Sequence, residues 1–257
     1  MKKILLVEGN LKEANQEFTD NGIKTHTESL QESISYYTNN LEIDSVNPSS
    51  DKDIFDKVKD LNKYEGLIWG GSSLNIYNDT KEIRRQIEFM KECQKRIKNI
   101  LAICWGMQVA VTAAGGVVNR GKNGAHRGIA HEIVINPDGL NHPIYRDKDK
   151  IFNTPAFNYD EVVTLPNNAI LLSSNKVNNV MALNFETEFS KIWGIQYHPE
   201  ITYEKMITLI KFRRERLLEN KSFIDEKDLE SHIKMIENED KITKKESRMR
   251  AVSYTHL

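Results

Sequence analysis

The sequence predicts an α/β domain: a mostly parallel sheet with helices on both faces, plus a smaller antiparallel strand layer in the second half. Three observations carry this. Short apolar runs alternate with helix-period segments through the first half, the pattern of a parallel sheet covered on both sides. The second half replaces that alternation with closely spaced strand-like runs. At 257 residues the chain can bury about 70–75% of its unfolded surface, so it needs no disulfide or metal staple.

The elements follow in order. Residues 4–7 (Ile-Leu-Leu-Val) read as a buried strand; the run meets Glu8 too soon to be the core of a signal peptide. Leu41–Val46 and Gly66–Trp69 are the next strands, the latter ending at Gly70-Gly71. Thr80 caps a helix whose Ile83, Ile87, Met90 and Cys93 recur at three- and four-residue steps. Residues 100–103 form a fourth strand. Residues 105–114 then read as a helix stopped by Gly115-Gly116. Residues 129–135, 160–165, 169–173, 180–185 and 191–196 are strands, with Pro166-Asn167-Asn168 as a turn. Residues 202–218 form a helix that buries Met206, Leu209, Ile210 and Phe212.

Past Glu219 the composition shifts to Lys, Glu and Asp. Leu229, Ile233 and Ile236 leave only a sparse stripe, so 219–250 are expected to be a charged, solvated helical extension of the domain in 1–218. Residues 251–257 fit no pattern and are read as an unstructured tail, set aside as a candidate artefact.

Composition excludes several function classes. Net charge is −1 with 28% charged residues, which supplies no basic face for nucleic acid. No apolar run approaches the ~18–20 residues of a membrane span. Two cysteines, Cys93 and Cys104, make no disulfide framework, so a reducing, cytoplasmic setting is expected. No Cys/His cluster has zinc spacing, and no phosphate loop follows the glycine pair, so neither metal nor cofactor is expected.

The chemistry concentrates at two strand ends. Cys104 sits between an apolar run and a helix start, where a sharp turn demands small neighbours; Ala102 and Gly106 meet that demand. The helix N-terminus favours thiolate over thiol. The plain alternative is a buried core cysteine, which is the reading for Cys93. His198 follows another strand, Pro199 stiffens its turn, and Glu200 can hold the second ring nitrogen. Thiol, imidazole and carboxylate are the parts of a nucleophile, its base and the base's orienter. A His and a Glu in an exposed loop are the alternative. His142-Pro143 has the same dipeptide without strand or carboxylate and reads as structural.

Gly71, after a strand, and Trp105, after the cysteine, can aim N–H groups at an oxyanion; a tight loop is the bland reading of Gly70-Gly71. Gln108 lies one helical turn beyond Cys104, placed to bond an amide-bearing substrate or simply to face solvent. Trp69 and Trp105 flank the cleft or pack. His126 and Arg127 read as solvated-loop residues that could otherwise meet a substrate carboxylate.

Ala102-Ile103-Cys104-Trp105-Gly106-Met107-Gln108 and Gln196-Tyr197-His198-Pro199-Glu200 resemble the signature of class I (triad-type) glutamine amidotransferases. Trp69-Gly70-Gly71-Ser72-Ser73 resembles the family's oxyanion loop, and residues 160–166 resemble the stand-alone branch related to the glutaminase domain of GMP synthase. The resemblance spans 1–218. It implies a flavodoxin-like sheet and hydrolysis of glutamine to glutamate and ammonia. Cys104 would be nucleophile, His198 base and Glu200 orienter. Gly71 and Trp105 would be oxyanion donors, with Gln108 holding the glutamine. Ala102 stands where the family usually has Gly, and Phe157-Asn158-Tyr159 replaces a Ser-His pair common before the Asp. No ATP-pyrophosphatase phosphate loop is present, so the ammonia acceptor is a separate synthetase subunit or none.

Three readings stand side by side. The first is a glutaminase-type amidotransferase. The second is a γ-glutamyl peptidase or hydrolase, with the same first half-reaction on a γ-glutamyl substrate. The third is a non-catalytic regulatory protein on the same fold.

Overall fold

The computed structural model of the chain describes residues 2–57 and 59–254. The first half runs β1 (Lys2–Val7), α1 (Lys12–Asp20), α2 (His26–Tyr37), β2 (Leu41–Val46), α3 (Ile54–Lys57), β3 (Gly66–Trp69), α4 (Lys81–Gln94), β4 (Asn99–Ile103) and α5 (Trp105–Ala113). The second half runs β5 (Val117–Arg120), β6 (His126–Ile135), α6 (Pro137–Leu140), β7 (Ile151–Asn158), β8 (Asp160–Thr164), β9 (Ile170–Ser174), β10 (Ala182–Glu186) and β11 (Lys191–Ile195). It closes with α7 (Tyr203–Phe212), α8 (Arg214–Glu219) and α9 (Glu226–Tyr254).

One nine-stranded sheet has the order β2-β1-β3-β4-β11-β10-β9-β6-β7. Strands β2, β1, β3, β4 and β11 pair in parallel, which is the 2-1-3-4-5 order of the flavodoxin-like fold. From β11 outward every pairing is antiparallel, so the second-half strands extend the same sheet. β5 and β8 form a separate two-stranded ribbon. The strand order reverses at β1, and ligands of such sheets bind beyond the strand carboxyl ends at that point. Gly70, Cys104 and the segment leading to His198 follow β3, β4 and β11 at the same carboxyl edge, beginning beside that point.

Alternation places the core on both faces. Leu5, Val7, Trp69 and Ala102 pack with Met90 and Cys93 of α4 and with Met107, Val109 and Val111 of α5. Leu6, Ile103 and Ile195 pack on the other face with Leu30 of α2 and with Tyr145, Phe152 and Tyr197. Each of the buried Leu, Val, Ile, Met and Phe side chains among them contributes about 1.5–3 kcal/mol. Thr80, Thr202 and Thr25 cap α4, α7 and α2, and Thr25 with Glu28 completes a capping box.

Several elements differ from the sequence reading. Helices α1 and α2 occupy a stretch where no periodicity stands out, because α1 buries only Phe18 and α2 only His26, Ser29 and Leu30. Strand β7 contains Pro155, which a sheet tolerates on its edge strand. The helix expected over 202–218 breaks at Arg213, whose φ of −93° and ψ of 13° separate α7 from α8.

The largest correction concerns the charged C-terminal segment. It is helical, but it is not merely solvated: Leu229, Ile233 and Ile236 are fully buried against Met206, Leu209 and Ile210 of α7. Three apolar positions suffice because the surface they meet is bare. Gly128 has φ +118°, and a Cβ there would lie 2.6 Å from Ile236 Cδ1 and 2.8 Å from Ile210 Cδ1. Helix α9 runs through Ala251 to Tyr254, four residues into the stretch read as an unpatterned tail, since no Gly or Pro interrupts it; Thr255–Leu257 lie outside the described residues. No helix among the described residues is long and apolar enough to cross a membrane. Truncation Ile236→Ala should cost about 2–5 kcal/mol in denaturant unfolding, whereas a solvated helix would lose almost nothing.

Candidate active site

Strand β4 ends into Cys104, whose φ of 52° and ψ of −104° turn the chain sharply into α5. The Cys104 N–H donates to the Ile195 carbonyl at 2.7 Å, and its own carbonyl accepts from Gln108 N–H at 3.2 Å. The turn brings α5 so close to β3 that a Cβ on Gly106 would lie 2.4 Å from the Trp69 carbonyl oxygen. This is why glycine follows two residues after the cysteine. The Ala102 methyl is accommodated because its partner on β11 is Gly194, which presents no side chain. Trp105 is held by its ring: Nε1 donates to Gln86 Oε1 at 2.7 Å, and Gln86 in turn donates to the Gly9 carbonyl at 3.0 Å.

His198 leaves β11 with its N–H on the Pro155 carbonyl at 2.9 Å. Its Nδ1 lies 2.7 Å from Glu200 Oε1, and both side chains are buried. The other side-chain partner of the ring is Cys104. Burial opposes charge on His198, but Glu200 and Cys104 together outweigh it and raise its pKa to about 10. The sequence reading leaves an exposed loop open for this His and Glu; that alternative is excluded.

Two glutamines complete the buried chain. Gln196 Nε2 donates to Cys104 Sγ at 3.4 Å, and Gln108 Nε2 donates to Gln196 Oε1 at 3.4 Å. Gln108 is therefore not on the surface. The sequence reading does not single out Gln196, which stands directly after β11 and two residues before His198.

His26, the first residue of α2, lies stacked on His198 with centroids 5.6 Å apart and planes 21° apart. Glu8 fixes that helix start by accepting from Thr27 N–H at 3.1 Å and from its hydroxyl at 2.9 Å. Burial, then the charge of His198, hold the His26 pKa well below its ordinary value. Gly71 lies against both rings: a Cβ there would be 2.9 Å from each Cε1. The Gly70 N–H is taken by the Val7 carbonyl and the Gly106 N–H by the Gly70 carbonyl. Among the described residues, neither Gly71 N–H nor Trp105 N–H has a protein acceptor. His26, His198 and Glu200 offer the one described set of metal-type donors, within 4.8 Å of one another. His198 Nδ1 and Glu200 Oε1 bond each other, while Glu200 Oε2 and His26 Nδ1 are buried without a hydrogen-bond partner.

Cys104, Trp105 and Gln108 open onto a cavity of about 220 Å³. Its other walls come from Ser72–Asn75, from the β7–β8 corner at Asp160, and from Arg213 and Arg216. His126 and Arg127, read as loop residues, are on β6 and outside this cavity. His126 is buried between Asn158 and Asn175, each 2.9 Å from a ring nitrogen. Arg127 bonds the Ser222 carbonyl and lies 5.0 Å over the Phe223 ring. Trp69 and Cys93 are core residues, and His142 caps a short turn and contacts Trp193.

A strained cysteine elbow at the carboxyl end of β4, with a buried His–Glu pair just after the neighbouring strand β11, makes a candidate cysteine site on a flavodoxin-like α/β sheet. The chain belongs to the class I glutamine amidotransferases: the sequence model described as "Glutamine amidotransferase class-I" matches residues 18–214. It is 30% identical over 166 residues to γ-glutamyl-L-1-hydroxyisopropylamide hydrolase of a Pseudomonas species, covering 63% of this chain and 56% of that protein. It is 33% identical over 106 residues to a glutamine-hydrolyzing GMP synthase subunit of Methanosarcina acetivorans, covering 41% and 52%. The chain thus spans little more than half the length of these curated relatives. The crystal structure of a glutamine amidotransferase from Thermotoga maritima superposes with a TM-score of 0.65 at 18% identity, covering 94% of this chain and 92% of that one.

The raised His198 pKa has a consequence for stability. The folded state holds this proton more tightly than the unfolded chain, whose histidine titrates near 6.5. The stabilisation is complete below about pH 6.5 and is lost as pH rises towards about 10. Melting temperature should therefore fall between pH 7 and 10 in the wild type and fall less in His198→Gln, as followed by circular dichroism.

Proposed function

We propose that this chain hydrolyses the side-chain amide of a γ-glutamyl compound, with glutamine as the simplest member, through a thioester on Cys104. The observation that carries this reading is the buried contact chain Glu200–His198–Cys104 opening onto a cavity. The similarity to a γ-glutamyl amide hydrolase supports the same bond as target.

Cys104 sulfur attacks the δ-carbonyl carbon, and the carbonyl oxygen becomes an oxyanion. The Gly71 and Trp105 N–H groups, unclaimed by protein acceptors, are the donors for that charge; one such donor is typically worth ~3–4 kcal/mol in the transition state. His198, raised to about 10, holds its proton at neutral pH and gives it to the departing nitrogen. The C–N bond breaks, leaving a γ-glutamyl thioester and free amine or ammonia. Neutral His198 then takes a proton from water, which attacks the thioester and releases glutamate and the thiol. Glu200 keeps Nδ1 protonated and the ring aimed at sulfur. Gln196 donates to the sulfur when it is an anion, and Gln108 holds Gln196 in register and borders the substrate. Asp160 on the cavity wall is the carboxylate for the substrate α-ammonium.

A second reading, in which ammonia passes to a separate synthetase subunit, is favoured by the likeness to a protein named as one subunit of a glutamine-hydrolyzing synthase. The non-catalytic reading is disfavoured because all three triad residues are present and in contact.

Incubation with glutamine and with γ-glutamyl amides should release glutamate, and Cys104→Ala should abolish the release. Glu200→Gln should lower kcat by about 10²-fold or more with the fold retained. Turnover that survives Cys104→Ala would sink the nucleophile assignment.

A further inference from the structure

A second cavity, of about 30 Å³, shares Cys104 with the larger one. His198 and His26 border it and do not border the larger one, so it is the cavity on the imidazole side of the sulfur. Ser72 and Arg213 supply its other polar atoms, while Met206 and Leu209 of α7 close it with apolar surface. A water molecule needs at least about 10–15 Å³ and two to four polar partners, and this space offers both. No γ-glutamyl group fits in it.

The position matters because the second half of the proposed cycle happens on this side. Once the amine has left, His198 is neutral, and the next proton it takes comes from water. That water must therefore reach the acyl carbon from the side of His198. Its oxygen lone pair faces the carbon only if both of its protons find acceptors elsewhere. His198 accepts one. Arg213 has donors alone, and the acylated sulfur is no longer basic. The Ser72 oxygen already accepts from Leu74 N–H at 3.3 Å. His26 is the remaining lining side chain with a basic nitrogen. Its ring stacks on that of His198, its Nδ1 is buried without a hydrogen-bond partner, and burial above all keeps it neutral. A neutral imidazole carries one acceptor nitrogen. The attack, proton transfers and oxyanion binding described above give this ring no task.

We propose that the small cavity holds the water that hydrolyses the thioester, and that His26 accepts a hydrogen bond from it and so aims its oxygen at the acyl carbon while His198 removes the other proton. The C–O bond forms as that proton passes to His198. The oxyanion then collapses, the C–S bond breaks, and its electron pair returns to Cys104 as thiolate beside the imidazolium. The product acid gives its remaining proton to solvent, and His26 ends as neutral as it began. His26 is thus a positioning residue for hydrolysis of the thioester and not for its formation. This inference rests on the γ-glutamyl hydrolase reading above and assigns a residue to its second step.

The test separates the two steps with a γ-glutamyl 4-nitrophenyl ester. Its leaving group needs no proton, so the thioester forms fast: the burst of nitrophenolate reads formation and the steady state reads hydrolysis. His26→Phe keeps a stacked ring and removes both nitrogens. Its steady-state rate should fall about tenfold or more while the burst rate changes by less than about threefold, and the thioester on Cys104 should accumulate in acid-quenched mass spectra. His26→Gln, which restores a hydrogen-bonding group, should recover part of the rate. Should His26→Phe fail to fold by circular dichroism, Met206→Phe fills the same cavity from α7 and should slow the steady state alone. A steady state within about threefold of wild type in the folded variant, or burst and steady state falling together as a structural role would require, overturns the inference and leaves the nucleophile assignment intact. A wild type with neither burst nor adduct on Cys104 overturns the hydrolase reading itself.

Discussion

The site depends on one backbone constraint: Cys104 is held at positive φ where a side chain is disfavoured. Such a conformation costs on the order of 1–3 kcal/mol and persists only where its surroundings over-determine it. Here the Cys104 N–H is fixed to the Ile195 carbonyl, tying the end of β4 to β11. Helix α5 buries Met107, Val109, Ala110 and Val111 completely, so the chain after the turn cannot drift. Gly106 closes the gap to Trp69. The turn places Cys104 at the carboxyl end of the sheet and leaves the first N–H of α5 without a protein acceptor among the described residues. A relaxed backbone at residue 104 would lose both.

Around that sulfur the protein supplies fixed, buried polar partners. Glu200, His198, Cys104, Gln196 and Gln108 form a continuous buried line of contacts. A low-dielectric setting strengthens each link and makes an unpaired member expensive. His26 covers one face of the His198 ring and Gly71 its edge, and burial keeps His26 neutral, so the single imidazolium of the pair is His198. Glu8 matters through this stacking. By anchoring the first turn of α2 it positions the His26 ring that stacks on His198 in the candidate site.

Much of this is legible in the sequence, for reasons that can be named. Parallel strands buried on both faces appear as short apolar runs, so β1, β3, β4 and β11 can be read, and the residues that follow them fall at one edge of the sheet. That reasoning reaches Cys104, His198, Glu200, Gly71, Trp105 and Gln108. It does not reach His26, because α2 buries so little apolar surface that no period stands out. Arg213 and Arg216 are hidden inside an amphipathic stretch that reads as one helix. The stretch breaks at Arg213, and both residues line the cavity beside Cys104. The buried stripe of α9 looks too sparse because its counterpart, the open surface at Gly128, belongs to a distant strand. Contacts set by long-range packing leave little local trace.

The central claim is that Cys104 carries the γ-glutamyl group during turnover. Acid quench of the enzyme mixed with a γ-glutamyl amide, followed by mass spectrometry of the intact chain and its peptides, tests this most directly. The account predicts a γ-glutamyl adduct on the peptide containing Cys104, accumulating further in a variant slowed at the water-attack step and absent in Cys104→Ser or Cys104→Ala. Active turnover with no adduct at any quench time, or an adduct on Cys93 instead, would contradict it.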